Sequence, residues 1–374
     1  MTRFSRRDVM KAGAFALAAP AVLRAHDALA SSGSVNVYAW GDYFDKNTLL
    51  ADFTNASGVK VNLSTYGSNE EAENKLRAAG GKGFDVIFPS VDTGPNYYKD
   101  NLLQAIDEKK FKVAQVVPSI YRNSLTLGAA HRGKRYLVPF DWGTEGITWD
   151  STKFDKKSGE ISYGDLWLPG HDKQTAIRQK SVFNGVALYL DSTGELKSNR
   201  GLDLYKSEAD ARRVFDGCLK FITAHKGNIG AFWNNATEAT AAFTDAGCTI
   251  GQTWDTTGIL LNRKTDKKWS YGMPKEGGLA WTDTFGIPSG AENVEQAYAL
   301  MNFLYEAPNG AKFANTTGYN TCANGAEKYL SDEARTAFEA AYPAGTIDNL
   351  FWWPMQTDFY AKLRGEYVEK LTNA

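Results

Sequence analysis

The chain has 374 residues, 43% of them hydrophobic and 23% charged, which suits a folded globular protein of about two domains and excludes a disordered or fibrous one. Residues 1–30 carry five of the 42 Lys and Arg and two of the 43 Asp and Glu, so the remainder has a formal charge of −4. A surface of that sign does not suit nucleic acid.

The first thirty residues read as an export signal. SRRDVMK is followed by the apolar AGAFALAAPAVL, then by Arg24 and the small-residue pattern Ala28-Leu29-Ala30. Adjacent Arg6 and Arg7, and an apolar stretch too short to span a bilayer, give it the look of a twin-arginine signal cleaved near Ala30. An ordinary secretory signal carrying two arginines is the alternative, and either would take the product out of the cytoplasm. No later apolar run is long enough for a membrane span.

Beyond the signal, SVNVYAW (34–40) reads as a buried strand. DKNTLLADFTNASG (45–58) reads as a helix with Asp45 near its start and Gly58 at its stop, and VKVNLSTY (59–66) as a second strand. Ser68 and Glu71 stand in capping-box spacing before a helix closed by Gly80, and FDVIFPS (84–90) is a third strand. This β-α-β-α-β run predicts a parallel sheet with helices on its faces, and ligands bind beyond the carboxyl ends of such strands, where Trp40 and Ser90 fall. No GxGxxG or Walker loop accompanies them.

The turn at VPFDWG (138–143) and the return at MPKEGGLAW (273–281) read as short, extended crossings into and out of a second α/β lobe, within which SEADARRVFDGCLKFITAHKG is helical and NIGAFW a strand. Lobe one is then discontinuous, residues 31–140 plus 281–320, and lobe two comprises 141–280 plus 321–374. Two crossing strands would form a hinge over a cleft. Cys218, Cys248 and Cys322 match neither a zinc motif nor a disulfide framework, and a fold of this size needs no staple.

Trp–acid neighbours recur: Trp40 with Asp42 and Tyr43, Trp142 with Asp141 and Glu145, Trp254 with Asp255, and Trp281 with Asp283. In a strand, positions 281 and 283 share one face, so a large π surface and a carboxylate would line one wall. Aromatic faces attract cations and carboxylates accept ammonium protons, so a cleft collecting these groups selects an amine. Solvated acids and core tryptophans are the plainer alternative. An anion site would instead gather Arg, Lys and helix N-termini. Paired carboxylates are also glycosidase equipment, but GxSxG, HExxH and metal-ligand spacing of His131, His171 and His225 are all lacking, so no catalytic residue, metal or cofactor is expected.

The blocks VYAWGDYF, VIFPS, VPFDWGTEGI, GQTWDTTG and PKEGGLAWTDTFGIP resemble those of the bacterial spermidine/putrescine-binding proteins of ABC importers, over nearly all of residues 34–320. That resemblance implies a monomeric, two-lobed periplasmic binding protein, each lobe a mixed sheet flanked by helices, which closes on a small amine and delivers it to ABC permease subunits. It also implies stacking and hydroxyl contacts from Trp40, Tyr43, Ser90, Trp254 and Trp281, with Asp283 gripping the amine. Where spermidine binders resemble one another in an acidic pair for the far amine, this chain has AIRQKSVFNG, with Arg178 and Ser181 near those positions. A cation there would repel a second ammonium. If Arg178 faces the cleft, a zwitterion such as an amino acid, a betaine or an opine becomes the better ligand. Asp92, Glu145 and Asp255 could restore a diamine site, and Gln356 is a further candidate contact.

Overall fold

The computed structural model describes residues 33–44, 48–265 and 268–373. The expected export signal lies outside them, as does Asp45.

The first elements follow the expected alternation. β1 (Ser34–Trp40), a helix over Leu49–Ser57, β2 (Lys60–Tyr66), a helix over Asn69–Ala78 and β3 (Val86–Ile87) succeed one another, and β2 and β3 both pair with β1 in parallel. Gly58 ends the first helix at φ 76°, a left-handed conformation that glycine adopts without a Cβ clash. Ser68 caps the second helix by accepting from the Glu71 N–H at 3.2 Å. The Glu71 carboxylate reaches past Ser68 to the Gly67 N–H at 2.8 Å, so the capping box closes one residue early. β3 is shorter than the apolar run suggests, because the chain leaves the ladder after Ile87 and Ser90 rejoins it only as a single bridge to Asp283.

A small hairpin, β4 (Ala130–His131) and β5 (Lys134–Arg135), precedes β6 (Leu137–Asp150). The crossing at VPFDWG is no turn: it lies inside β6, which runs unbroken for 14 residues, all but one of them buried. β7 (Thr175–Arg178), β8 (Ile229–Trp233) and β9 (Ile250–Trp254) alternate with helices over Val182–Thr193, Glu208–Ala224 and Ala236–Thr244. A helix over Asp255–Lys264 leads to β10 (Trp269–Gly272) and β11 (Leu279–Gly286). The remainder holds β12 (Asn320–Thr321) and β13 (Phe351–Trp352) among four further helices, the last over Asp358–Asn373.

All the strands except β4 and β5 join one mixed sheet in the order β2-β1-β3-β11-β6-β9-β7-β8, with β10 and β12 on β6 and β13 on β11. The β2-β1-β3 and β9-β7-β8 runs are parallel, and antiparallel β11 and β6 join them. The two lobe sheets are therefore continuous with each other. One apolar core gathers Val37, Ile87, Leu137, Phe140 and Phe285, and another gathers Ile147, Trp149, Ile177, Phe215 and Leu279. β6 and β11 each feed both cores, one from either end, which leaves the stretches 141–145 and 280–284 between them. Polar side chains there cost no core packing, and that is where the Trp–acid residues of these strands stand.

The three cysteines are buried and free. Cys218 packs in the second core, Cys248 in a smaller cluster with Trp233 and Trp254, and Cys322 in the first core.

Candidate functional site

The antiparallel register sets Trp281 opposite Gly143 and Asp283 opposite Asp141, and slips just beyond Asp283. Gly143 is needed there. A Cβ at that position would lie 2.4 Å from Trp281 Cζ2 and 2.7 Å from Asp255 Oδ2. The missing side chain lets the indole lie down on β6.

Asp283 is 5% exposed and doubly held: Ser90 Oγ donates to Oδ1 at 2.5 Å and the Tyr43 hydroxyl to Oδ2 at 2.7 Å. Asn69 fixes Ser90 in turn, accepting from its N–H at 3.0 Å and donating to its Oγ at 2.8 Å. The Tyr43 hydroxyl is also 2.9 Å from Asp141 Oδ1, while Asp141 Oδ2 is buried without a hydrogen-bond partner among the described residues. Burial raises the Asp283 pKa to about 7, against the lowering effect of Ser90 and Tyr43. Burial, followed by the charge of Asp283, pushes Asp141 well above the usual carboxylate range.

Asp283, Ser90 and Tyr43 open on a cavity of about 80 Å³, several times what one water needs. Its walls also carry Trp40, Asp92, Glu145, Trp254, Trp281, Arg178 and Gln356. Ten of the eleven residues nominated from sequence thus meet here. Trp40 is oriented by its indole N–H, which donates to the Phe88 carbonyl at 2.9 Å, and Trp281 stands edge-on to Tyr319 at 5.3 Å between ring centroids. Gln356 donates to Asp92 Oδ2 at 2.7 Å, and burial raises the Asp92 pKa.

Asp255 is the exception. It does not line the cavity, but accepts from Thr144 N–H at 3.2 Å, Tyr342 hydroxyl at 2.9 Å and Thr256 N–H at 2.9 Å, at the start of its helix. Glu145 does line it, yet is fully committed to the protein. Its Oε1 takes Arg178 and, at 3.2 Å, the Trp254 indole, while its Oε2 takes Ser181 and, at 3.1 Å, Gln252. Arg178 faces the cleft, its guanidinium 4.7 Å from the Trp254 ring centroid.

Asn69, Glu70, Lys180, Tyr319, Trp353 and Arg364 complete the lining and were not foreseen. Glu70 accepts from Lys180 at 2.5 Å and Arg364 at 3.1 Å, tying the helix that follows β2 to residues beyond β7 and in the last helix. For Asn69 and Glu70 a signal existed, since the Ser68 cap puts them at a helix start just beyond the carboxyl end of β2. For Trp353 and Arg364 there was none.

The cavity offers a buried carboxylate whose pKa burial has raised, aromatic faces and charged side chains already paired to one another.

The sequence model of the bacterial extracellular solute-binding proteins matches residues 48–344. The spermidine/putrescine-binding periplasmic protein of Escherichia coli K12 is 28% identical over 371 residues, 98% of this chain and 97% of that one. Among solved structures, the spermidine/putrescine ABC transporter substrate-binding protein of Streptococcus pneumoniae superposes with a TM-score of 0.71 at 22% identity, over 91% of this chain and 99% of that one. The Atu4243 GABA receptor superposes at 0.66 and 17% identity, over 91% and 96%. A family match over most of the chain, on a two-lobed fold with a polar cavity at the crossing strands, makes this chain a member of the bacterial extracellular solute-binding protein family.

Proposed function

We propose that this solute-binding protein is the periplasmic receptor of an ABC importer, which captures a small amine between its lobes and delivers it to membrane permease subunits. The observation that carries the reading is Asp283, a buried carboxylate held by Ser90 and Tyr43 in a cavity walled by Trp40, Trp254 and Trp281. An ammonium would complete that site, with Asp283 as its counter-charge and the indole faces on its methylenes. The E. coli relative is named for spermidine and putrescine and matches almost end to end.

The lobe division of the sequence reading belongs to the same proposal, with one shift. Cys322 packs in the first core and Tyr360 and Tyr367 in the second, which supports a last crossing after Cys322. Export through a twin-arginine signal cleaved near Ala30 completes it. A carboxylate-dependent secreted enzyme is the less supported reading, because Glu145 and Asp92 are already bound to Arg178 and Gln356.

Calorimetry of the mature protein against diamines, polyamines, amino acids and betaines tests this. Heat with at least one of them, and recovery of the amine unchanged, is expected. Silence across the panel, or consumption of the ligand, contradicts the reading.

A further inference from the structure

We infer that the solute is a zwitterion, a short amine carrying a carboxylate at its far end, rather than a diamine. This deepens the amine-receptor reading and rests on it.

The two walls of the cavity carry opposite charge. From the first part of the chain and β11 come Glu70, Asp92 and Asp283, three acids and no Lys or Arg among the lining residues. From β6, β7 and the last helix come Arg178, Lys180 and Arg364, with Glu145 as their one acid. Glu145 is consumed by Arg178, and Glu70 accepts from both Lys180 and Arg364, with Asp92 as a further acid near Arg364. Three cations thus stand on that wall, while Asp283 has hydroxyl donors and no Lys or Arg partner among the described residues. Arg178 keeps a further donor in hand, since its buried Nε has no partner among the described residues.

A diamine gripped by Asp283 would bring its second ammonium against this cationic wall, where like charges in a water-poor space repel. A carboxylate there would meet the three cations and accept from donors that are already positioned, the unpartnered Nε of Arg178 among them. The cavity is small, so the amine and carboxylate must be separated by only a few methylenes. Trp254 and Trp281 are placed to cover those methylenes.

Calorimetry with a matched four-carbon pair decides, using 4-aminobutanoate and 1,4-diaminobutane together with their shorter and longer homologues. Tighter binding of an amino acid than of the diamine of equal length, by about tenfold or more, is expected. Equal or tighter binding of the diamine overturns the inference and leaves the amine receptor standing. Silence across the whole panel fails both. Lys180→Gln provides the second arm: it should cost the amino acid about tenfold and leave the diamine unweakened, so the preference shrinks. Equal weakening of both ligands would make Lys180 only a brace to Glu70 and overturn the charge reading. The melting temperature of the ligand-free variant separates either result from misfolding.

Discussion

Asp141 and Asp283 face one another across β6 and β11 with the Tyr43 hydroxyl between them, 2.9 Å from one carboxylate and 2.7 Å from the other. Like charges at directly opposed strand positions are destabilising, and a phenol has one proton to give. The arrangement is satisfied when one of the two acids keeps its own proton. The pair then carries one negative charge rather than two, and in the amine-receptor proposal an arriving ammonium takes the place of that proton.

Proton release follows. The Asp283 pKa is raised to about 7, so binding of an amine near pH 6 should expel protons and tighten as pH rises toward 8. Titrations in buffers of differing ionisation enthalpy measure this directly. Binding independent of pH between 6 and 8 would contradict the shared proton.

Stability without solute should run the other way. Asp141, Asp255 and Asp283 all have raised folded-state values, Asp255 and Asp283 at about 7, while in the unfolded chain they titrate near 4. The folded state therefore holds extra protons between those limits. Its contribution to stability is complete below about pH 4 and is lost as pH climbs through 7. The melting temperature of the ligand-free protein should be higher at pH 5.5 than at pH 8, and the reverse order would count against it.

Much of this site is legible in the period of a strand. Trp281 and Asp283 are two apart and share a wall. Trp254 ends β9 and Asp255 opens the helix that follows, so the two part there and only the tryptophan reaches the cavity. Trp142 beside Asp141 repeats the lesson, packing on Tyr342 at 5.5 Å while Asp141 turns toward Tyr43. Adjacency in sequence made all four clusters look alike, and the alternation of faces separates them. Trp353 and Arg364 were invisible because they reach the cavity by tertiary packing from distant segments with no local pattern to mark them, whereas Lys180 stands between Arg178 and Ser181 in a block already singled out and was passed over. The single continuous sheet was missed for a related reason: VPFDWG carries a proline and a glycine and reads as a break, yet burial on both faces keeps it a strand.

Asp255→Asn separates scaffold from site. The change turns one acceptor of the buried side chain into a donor facing an N–H or a hydroxyl, at a cost of about 1–3 kcal/mol of stability. Denaturant melts should show that loss, with solute affinity close to that of the parent. A large loss of affinity at unchanged stability would return Asp255 to the binding site.

Gly143→Ala forces a methyl against Trp281 and Asp255. Overpacking of this kind costs about 1–3 kcal/mol, and here it should also tilt the Trp281 indole, so both melting temperature and affinity fall. Loss of neither would mean that the indole has room that the register denies it.

In the amine-receptor proposal, Asp283 supplies the charge that holds the amine. Asp283→Asn keeps the shape and removes that charge, and truncating a buried charge pair costs about 2–5 kcal/mol of binding. Calorimetric affinity of this variant for the solute that the parent binds, read beside the melting temperature of the ligand-free form, is the direct measurement. A loss of that size is expected, with stability close to that of the parent, because the Ser90 and Tyr43 hydroxyls that donate to the carboxylate can also accept from an amide. Affinity near that of the parent, or a collapse of stability that accounts for the loss, would contradict the claim.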